Sequence, residues 1–340
     1  MKKRIYWLDN LRALAIILVV IGHFAKEIAV KNELWNNIVN YIYSFHMPLF
    51  FVLSGITHSM SKRKEFKPFV KDKFKKLLIP YFILNLLVMP IWLAIDLFIL
   101  KNENPFWLVS VGVIYSNQIA IQMISNVTWF ISFMFFLSIS FYLIESLSKK
   151  DKRIKHIIVL IITIIGIIFS IFKINAAGLP YHLFTLIYAI PFFYLGTIYQ
   201  TYEEKINNFI KSKLLNYILA ILLIGVGLWL GLKNGKVSMH ANQYGNVYTF
   251  FVSAICTILG LILLFRHTPK ISPLIFLSTN SMIYAAFHCP IRRIFLSIPS
   301  TNPLTVNYPI TSTILIILII IPIALLVNKF IPIAVGKNKK

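Results

Sequence analysis

Apolar runs of about 18 residues or more, the length that crosses the hydrocarbon of a bilayer, recur from one end of the 340-residue chain to the other. Between them no stretch exceeds roughly thirty residues, well short of a usual soluble domain. The pattern predicts an all-α fold: one polytopic bundle of about ten transmembrane helices filling residues 1–340. The predicted spans are roughly 7–28, 41–60, 77–100, 127–147, 157–173, 181–200, 214–232, 247–265, 279–299 and 309–331. No internal repeat is visible.

Charge orients the bundle. With the N-terminus in the cytoplasm, the inner segments and the flanking Lys329 hold 25 Lys/Arg. The outer loops hold six, and Arg12, Arg292 and Arg293 lie within spans. This bias puts both termini inside. It also explains the net charge of +23 without nucleic acid, because no aromatic-basic RNA motif accompanies it. Segment 106–124 (FWLVSVGVIYSNQIAIQMI) carries Asn117, Gln118 and Gln122. Counting it as a span would reverse every later loop, so it is assigned to an outer-face or re-entrant position. The first apolar run lacks an A-x-A-like cleavage site and is read as an uncleaved helix. Cys256 and Cys289 fall in or near spans and are read as free thiols.

The first span holds an Arg and a His. Arg12 and His23 are eleven residues apart, three turns plus about 20°, so they share one face about 16 Å apart along the axis. Asp9, Ile16 and Val19 lie on the same stripe. Alone, Arg12 reads as a snorkelling residue paired with Asp9, and His23 as a packing histidine. Together on one face they read as the lining of an interior cavity. Imidazole adds the ability to take and return a proton near neutral pH.

These residues also carry a resemblance. R-x10-H in the first span, FHMPLFFVLSG (Phe45–Gly55) in the second and KFKKLLIPY (Lys73–Tyr81) before the third resemble the acyltransferase family 3 membrane proteins. TWFISFMFFL (Thr128–Leu137) and NSMIYAAFHCPI (Asn280–Ile291) extend the likeness along essentially the whole chain. Within that family the chain looks most like the fucose 4-O-acetylase-like sugar O-acetyltransferases. The resemblance implies a bacterial plasma-membrane enzyme with acetyl-CoA as donor, met from the cytoplasm. It implies a hydroxyl of a surface polysaccharide or other envelope sugar as acceptor, and Arg12 and His23 as the essential pair. The family's basic pair for the CoA phosphates falls on Lys73 and Lys76, where many members have Arg. Lysine binds phosphate as a point charge without the guanidinium fork. The Glu that many members carry after the mid-chain Trp is absent after Trp129.

Acyl transfer needs a base or acyl carrier and a donor for the oxyanion. His23 suits the first two roles. Arg12, nearer the cytoplasm, suits the CoA end. His46 reads either as a polar residue at a proline-kinked interface or as an acceptor contact. Trp129 joins it as a candidate acceptor contact. Ser54 and Gly55 read as close helix packing. Asn280, Tyr284 and His288 recur at i, i+4, i+8 and read as a packing stripe or a second polar wall. Arg292 and Arg293 read either as anchors of the outer half or as contacts to an anionic acceptor. The basic segment 61–76, read as a loop between spans, follows equally from topology, which leaves the phosphate role of Lys73 and Lys76 open. There is no P-loop, no G-x-S-x-G elbow and no metal-ligand spacing, so no metal is expected. A transporter or flippase is the rival reading. It lacks the mid-span carboxylate that a coupled carrier usually needs.

Overall fold

The computed structural model describes residues 4–100, 106–117, 127–148, 151–298 and 307–337. Apart from one two-residue ribbon, its regular structure is helical, as an apolar solvent demands of backbone that must satisfy its own hydrogen bonds. Among the described residues, eight helices are long and apolar enough to cross a membrane. A bent pair near the C-terminus is a candidate ninth.

Helix α1 (Tyr6–Ala29), the predicted first span, is 24 residues long and is not among those eight. Its length suffices to cross the hydrocarbon, about 1.5 Å per residue against about 30 Å. It packs on α2 (Glu33–Ser59), whose N-cap Asn32 accepts from the Trp35 amide at 3.1 Å. Burial of Leu11, Ala15, Val20 and Phe24 centres α1 in the protein.

The basic segment expected as a loop is largely helical. Helix α3 (Phe66–Lys73) runs through a π-helical turn, Phe74–Leu78, into α4 (Ile79–Ala94) and a second π turn, Ile95–Leu100. The first widening has a local cause. Pro80 has no N–H for the Lys76 carbonyl and its ring crowds that oxygen, so the chain opens by one residue instead of breaking. The third membrane helix therefore begins well before residue 77.

Helix α5 (Phe106–Tyr115) has ten residues, about 15 Å, too short to span. The Tyr81 hydroxyl donates to the Val113 carbonyl at 2.6 Å, and Asn117 donates to the carbonyls of Ala177 and Leu179. Gln118 and Gln122 lie outside the described residues.

Helices α6 (Trp129–Leu147), α7 (Lys152–Ile171), α8 (Leu186–Phe209), α9 (Lys213–Lys233) and α10 (Val247–Phe265) complete the middle of the bundle. A 3-10 turn, Pro180–Thr185, leads into α8. Gly55 of α2 and Gly196 of α8 let two backbones meet. A Cβ on either would overlap a carbonyl of the other helix, Phe193 or Val52. Gly55 thus does the packing expected of it. Between α9 and α10 the chain forms a ribbon, β1 (Val237–Ser238) against β2 (Gln243–Tyr244), antiparallel, with Val237 opposite Tyr244. Cys256 and Cys289 are both free.

The predicted ninth span is broken. Helix α11 (Ser272–Thr279) and α12 (Ser281–Ser297) meet at 77°. Asn280 is the break. Its amide donates to the Phe276 carbonyl at 2.8 Å, while its oxygen accepts from Asn328 at 2.6 Å on α13 (Pro309–Phe330). Asn280 therefore does not continue the helical stripe of Tyr284 and His288; it ties the corner to α13. A closing 3-10 turn, Pro332–Val335, follows α13.

Candidate acyl-transfer site

A cavity of about 530 Å³ runs beside α1. Arg12, Ile16, Val19 and His23 of the stripe read from the sequence face it, as does Lys26, whereas Asp9 of that stripe does not line it. From Arg12 to Lys26 the α1 wall covers 15 residues, about 21 Å of helix. Helix α2 adds Tyr43, His46, Phe50 and Ser54, and α6 adds Trp129 and Phe130. Helix α12 adds Ser281 at the Arg12 end, and Cys289, Arg292 and Arg293.

At one end, Asp9 organises the basic groups. Its carboxylate accepts from Arg4 at 2.5 Å and from the Ser278 hydroxyl at 2.9 Å, with Arg12 at 3.6 Å. Arg12 is thus held from one side, and the rest of its fork faces the cavity. Snorkelling is not required to account for it.

The histidines are differentiated by their bonds. His46 Nδ1 lies 2.8 Å from the Ile42 carbonyl, and His288 Nδ1 lies 2.7 Å from the Tyr284 carbonyl. A carbonyl only accepts, so each Nδ1 carries the proton and each neutral ring keeps Nε2 as an acceptor. His288 Nε2 is 3.3 Å from Cys289 Sγ. His23 differs: among the described residues its ring nitrogens have no hydrogen-bond partner. Its ring is 5.2 Å from that of His288 and 6.4 Å from that of Tyr43. Tyr43 in turn is 4.9 Å from His46. His23 is therefore the imidazole whose donor and acceptor remain available to a substrate.

His23, His288 and Cys289 bring their ligand atoms within 4.8 Å of one another, so in reach they could hold a soft metal ion. No spacing in the sequence announces this group. It arises from packing α1 against α12.

The sequence also did not single out His240, which lines the cavity from the turn between β1 and β2. Its Nδ1 bonds Ser238 Oγ at 3.2 Å. Burial, then the charges of Lys26 and Lys236, push its pKa down to about 4, so the ring is neutral at neutral pH. The available signal was weak: a polar outer segment between two apolar runs. Trp129 packs beside it, 4.6 Å from His182 and 6.4 Å from His240 between ring centres.

The sequence model of the acyltransferase domain, acyltransferase family 3, matches residues 5–329. The chain belongs to that family. No curated protein and no solved structure matches it. It is a multi-pass membrane acyltransferase in type, and the match takes in every residue of the cavity wall.

Within this acyltransferase the candidate residues separate into two sets. Arg12, His23, His46 and Trp129 line the cavity, and His288 lies directly behind His23 with no exposed surface. Asn280, 3 % exposed, is bonded into the α11–α12 corner and does not line it. Lys73 and Lys76 are also off the cavity wall. Lys73 lies over the Phe69 ring at 5.5 Å. Lys76 pairs with Asp72 at 3.0 Å, and Lys64 meets the same carboxylate at 3.1 Å. Lys76 is exposed, one residue before Leu77, which does reach the cavity, and Lys73 is half-buried a turn earlier. Ser54 lines the cavity while its neighbour Gly55 faces α8.

Proposed function

We propose that this acyltransferase moves an acetyl group from acetyl-CoA, met at the cytoplasmic face, to a hydroxyl of a surface-polysaccharide or other envelope sugar. This is the chemistry of the fucose 4-O-acetylase-like branch that its motifs resemble. On this reading the protein lies in the bacterial plasma membrane with both termini in the cytoplasm, as its charge bias requires. The observation that carries the proposal is that Arg12 and His23 open on one cavity. An extended thioester arm entering at Arg12 has about 16 Å of α1 to cover before it meets His23.

The residues then divide the work. Arg12, already steadied by Asp9, holds the donor near its entry. His23 takes the proton of the acceptor hydroxyl as its oxygen attacks the thioester carbonyl. The tetrahedral oxyanion collapses, the C–S bond breaks, and the departing thiolate takes the proton back from the imidazolium. The acetyl group crosses while CoA remains inside. A transporter reading leaves the free imidazole on the cavity wall without a task, and it does not follow from the family.

The test is thioester consumption. Purified protein in nanodiscs, given acetyl-CoA and an envelope-glycan extract, should release free CoA in step with ester formed on the glycan. Absence of both, with folded protein, would overturn the proposal.

The basic pair has a separate expectation. Replacing both Lys73 and Lys76 by Gln should raise the donor KM by roughly three- to tenfold with kcat nearly unchanged, since phosphate contacts far from the reacting carbon are uniform binding. An unchanged donor KM would assign these charges to topology alone.

A further inference from the structure

We infer that the acceptor is anionic: the outer end of the cavity is a receptor for a phosphate or carboxylate attached to the sugar that receives the acyl group. This rests on the acyl-transfer reading above and adds the chemical class of the acceptor.

Three cations, Lys26, Arg292 and Arg293, line that end. Among the described residues, one carboxylate pairs with them at ion-pair distance: Glu27 Oε1 accepts from Arg292 Nη2 at 2.5 Å. Among the described residues, neither Lys26 nor Arg293 has an acidic partner within ion-pair distance. Two positive charges are therefore left over. The C-terminal carbonyls of α1 offset only about half a charge. Cations that merely anchor a helix lie on its outside, among headgroups. These line an interior wall together with His23, Tyr43 and Cys289. Lys26 is exposed at the cavity mouth, while Arg292 and Arg293 are half-buried; like charges so placed repel one another unless a counter-charge joins them.

A further observation points to a ligand. Arg292 Nε is buried without a hydrogen-bond partner, although nearly all buried donors are satisfied. Lys26 also acts on His240 of the β1–β2 turn, whose pKa is lowered first by burial and then by Lys26 and Lys236. The same cavity is lined by the rings of Trp129 and Tyr43. Their flat apolar surfaces suit the C–H face of a pyranose, while the guanidinium groups suit an oxyanion by paired N–H donors. A sugar held by both presents a hydroxyl to His23.

The charge has two possible sources. It is either an acid group of the glycan itself or the phosphate of a lipid-linked sugar. Native membranes from cells with and without the chain should be incubated with [14C]acetyl-CoA, extracted, and the aqueous label passed over an anion exchanger. Chain-dependent label that partitions into organic solvent and is released by mild acid supports the inference with a carrier phosphate. Aqueous label retained on the exchanger supports it with an acidic glycan. Aqueous label that runs through unretained overturns it while leaving acyl transfer intact. No chain-dependent label overturns the acyl-transfer reading and this inference with it.

A variant separates this end of the cavity from the donor. With the labelled fraction, deacetylated by mild base, as acceptor, Arg293→Gln should raise the acceptor KM at least tenfold and leave the donor KM within twofold. Arg293→Lys should recover most of the loss. A rise in the donor KM alone would assign the cations to acyl-CoA and sink the inference.

Discussion

His23→Ala will reduce acyl transfer by a factor of about 10² to 10⁴, the usual loss when a positioned base is removed, and will leave the protein inserted and folded. The two halves of that expectation have the same origin. His23 has no hydrogen-bond partner among the described residues, so its removal orphans no buried donor or acceptor. His46 and His288, by contrast, each bond a carbonyl one helical turn earlier, at 2.8 Å and 2.7 Å. Shortening either disturbs packing as well as chemistry. A His23→Ala protein that elutes and melts like the parent yet retains activity within tenfold would remove His23 from the mechanism. His23→Gln sharpens the test, since it keeps polarity and approximate reach but cannot shuttle the proton. It should fall as far as the alanine variant.

Much of this site was legible because a bilayer leaves few options. A charged residue inside an apolar run must find protein, so the eleven-residue spacing of Arg12 and His23 already implied one interior face. Ile16 and Val19 complete that face in the cavity wall. The free thiols and the packing role of Gly55 followed from composition and position in the same way. What escaped depends on partners far away in sequence. The corner at Asn280 is fixed by Asn328, 48 residues on, and periodicity within residues 279–299 carries no trace of it. His240 reaches the cavity because a two-residue ribbon folds its loop inward, and loop direction has no periodic signature. The basic segment before the third span was read as a loop because its charges masked a helix with one buried contact, Phe69. Arg292 and Arg293 left two readings open, since sequence does not say which side of a helix faces the interior.

The second large effect concerns the route between the two ends. If the donor arm runs from Arg12 to His23, the residues between them are its track. Val19 lies one turn before His23 and faces the cavity. Val19→Trp puts a two-ring side chain into that passage. The thioester is then held short of His23, and displacement of even about 1 Å in a positioned reaction can cost about 10²-fold. The expected result is a fall of at least about 100-fold in kcat/KM for acetyl-CoA. Val19→Ala, which widens the passage, should remain within about tenfold. Overpacking a filled core costs about 1–3 kcal/mol, but here the added rings have a cavity of about 530 Å³ to enter, so the variant should still fold. Thermal unfolding in detergent checks that directly, and Ile16→Phe supplies a milder block one turn nearer Arg12 should Val19→Trp melt early. Folded blocking variants with undiminished use of acetyl-CoA would mean that the donor reaches His23 by another path. The shared face of α1 would then hold the pair in place without conducting anything between them.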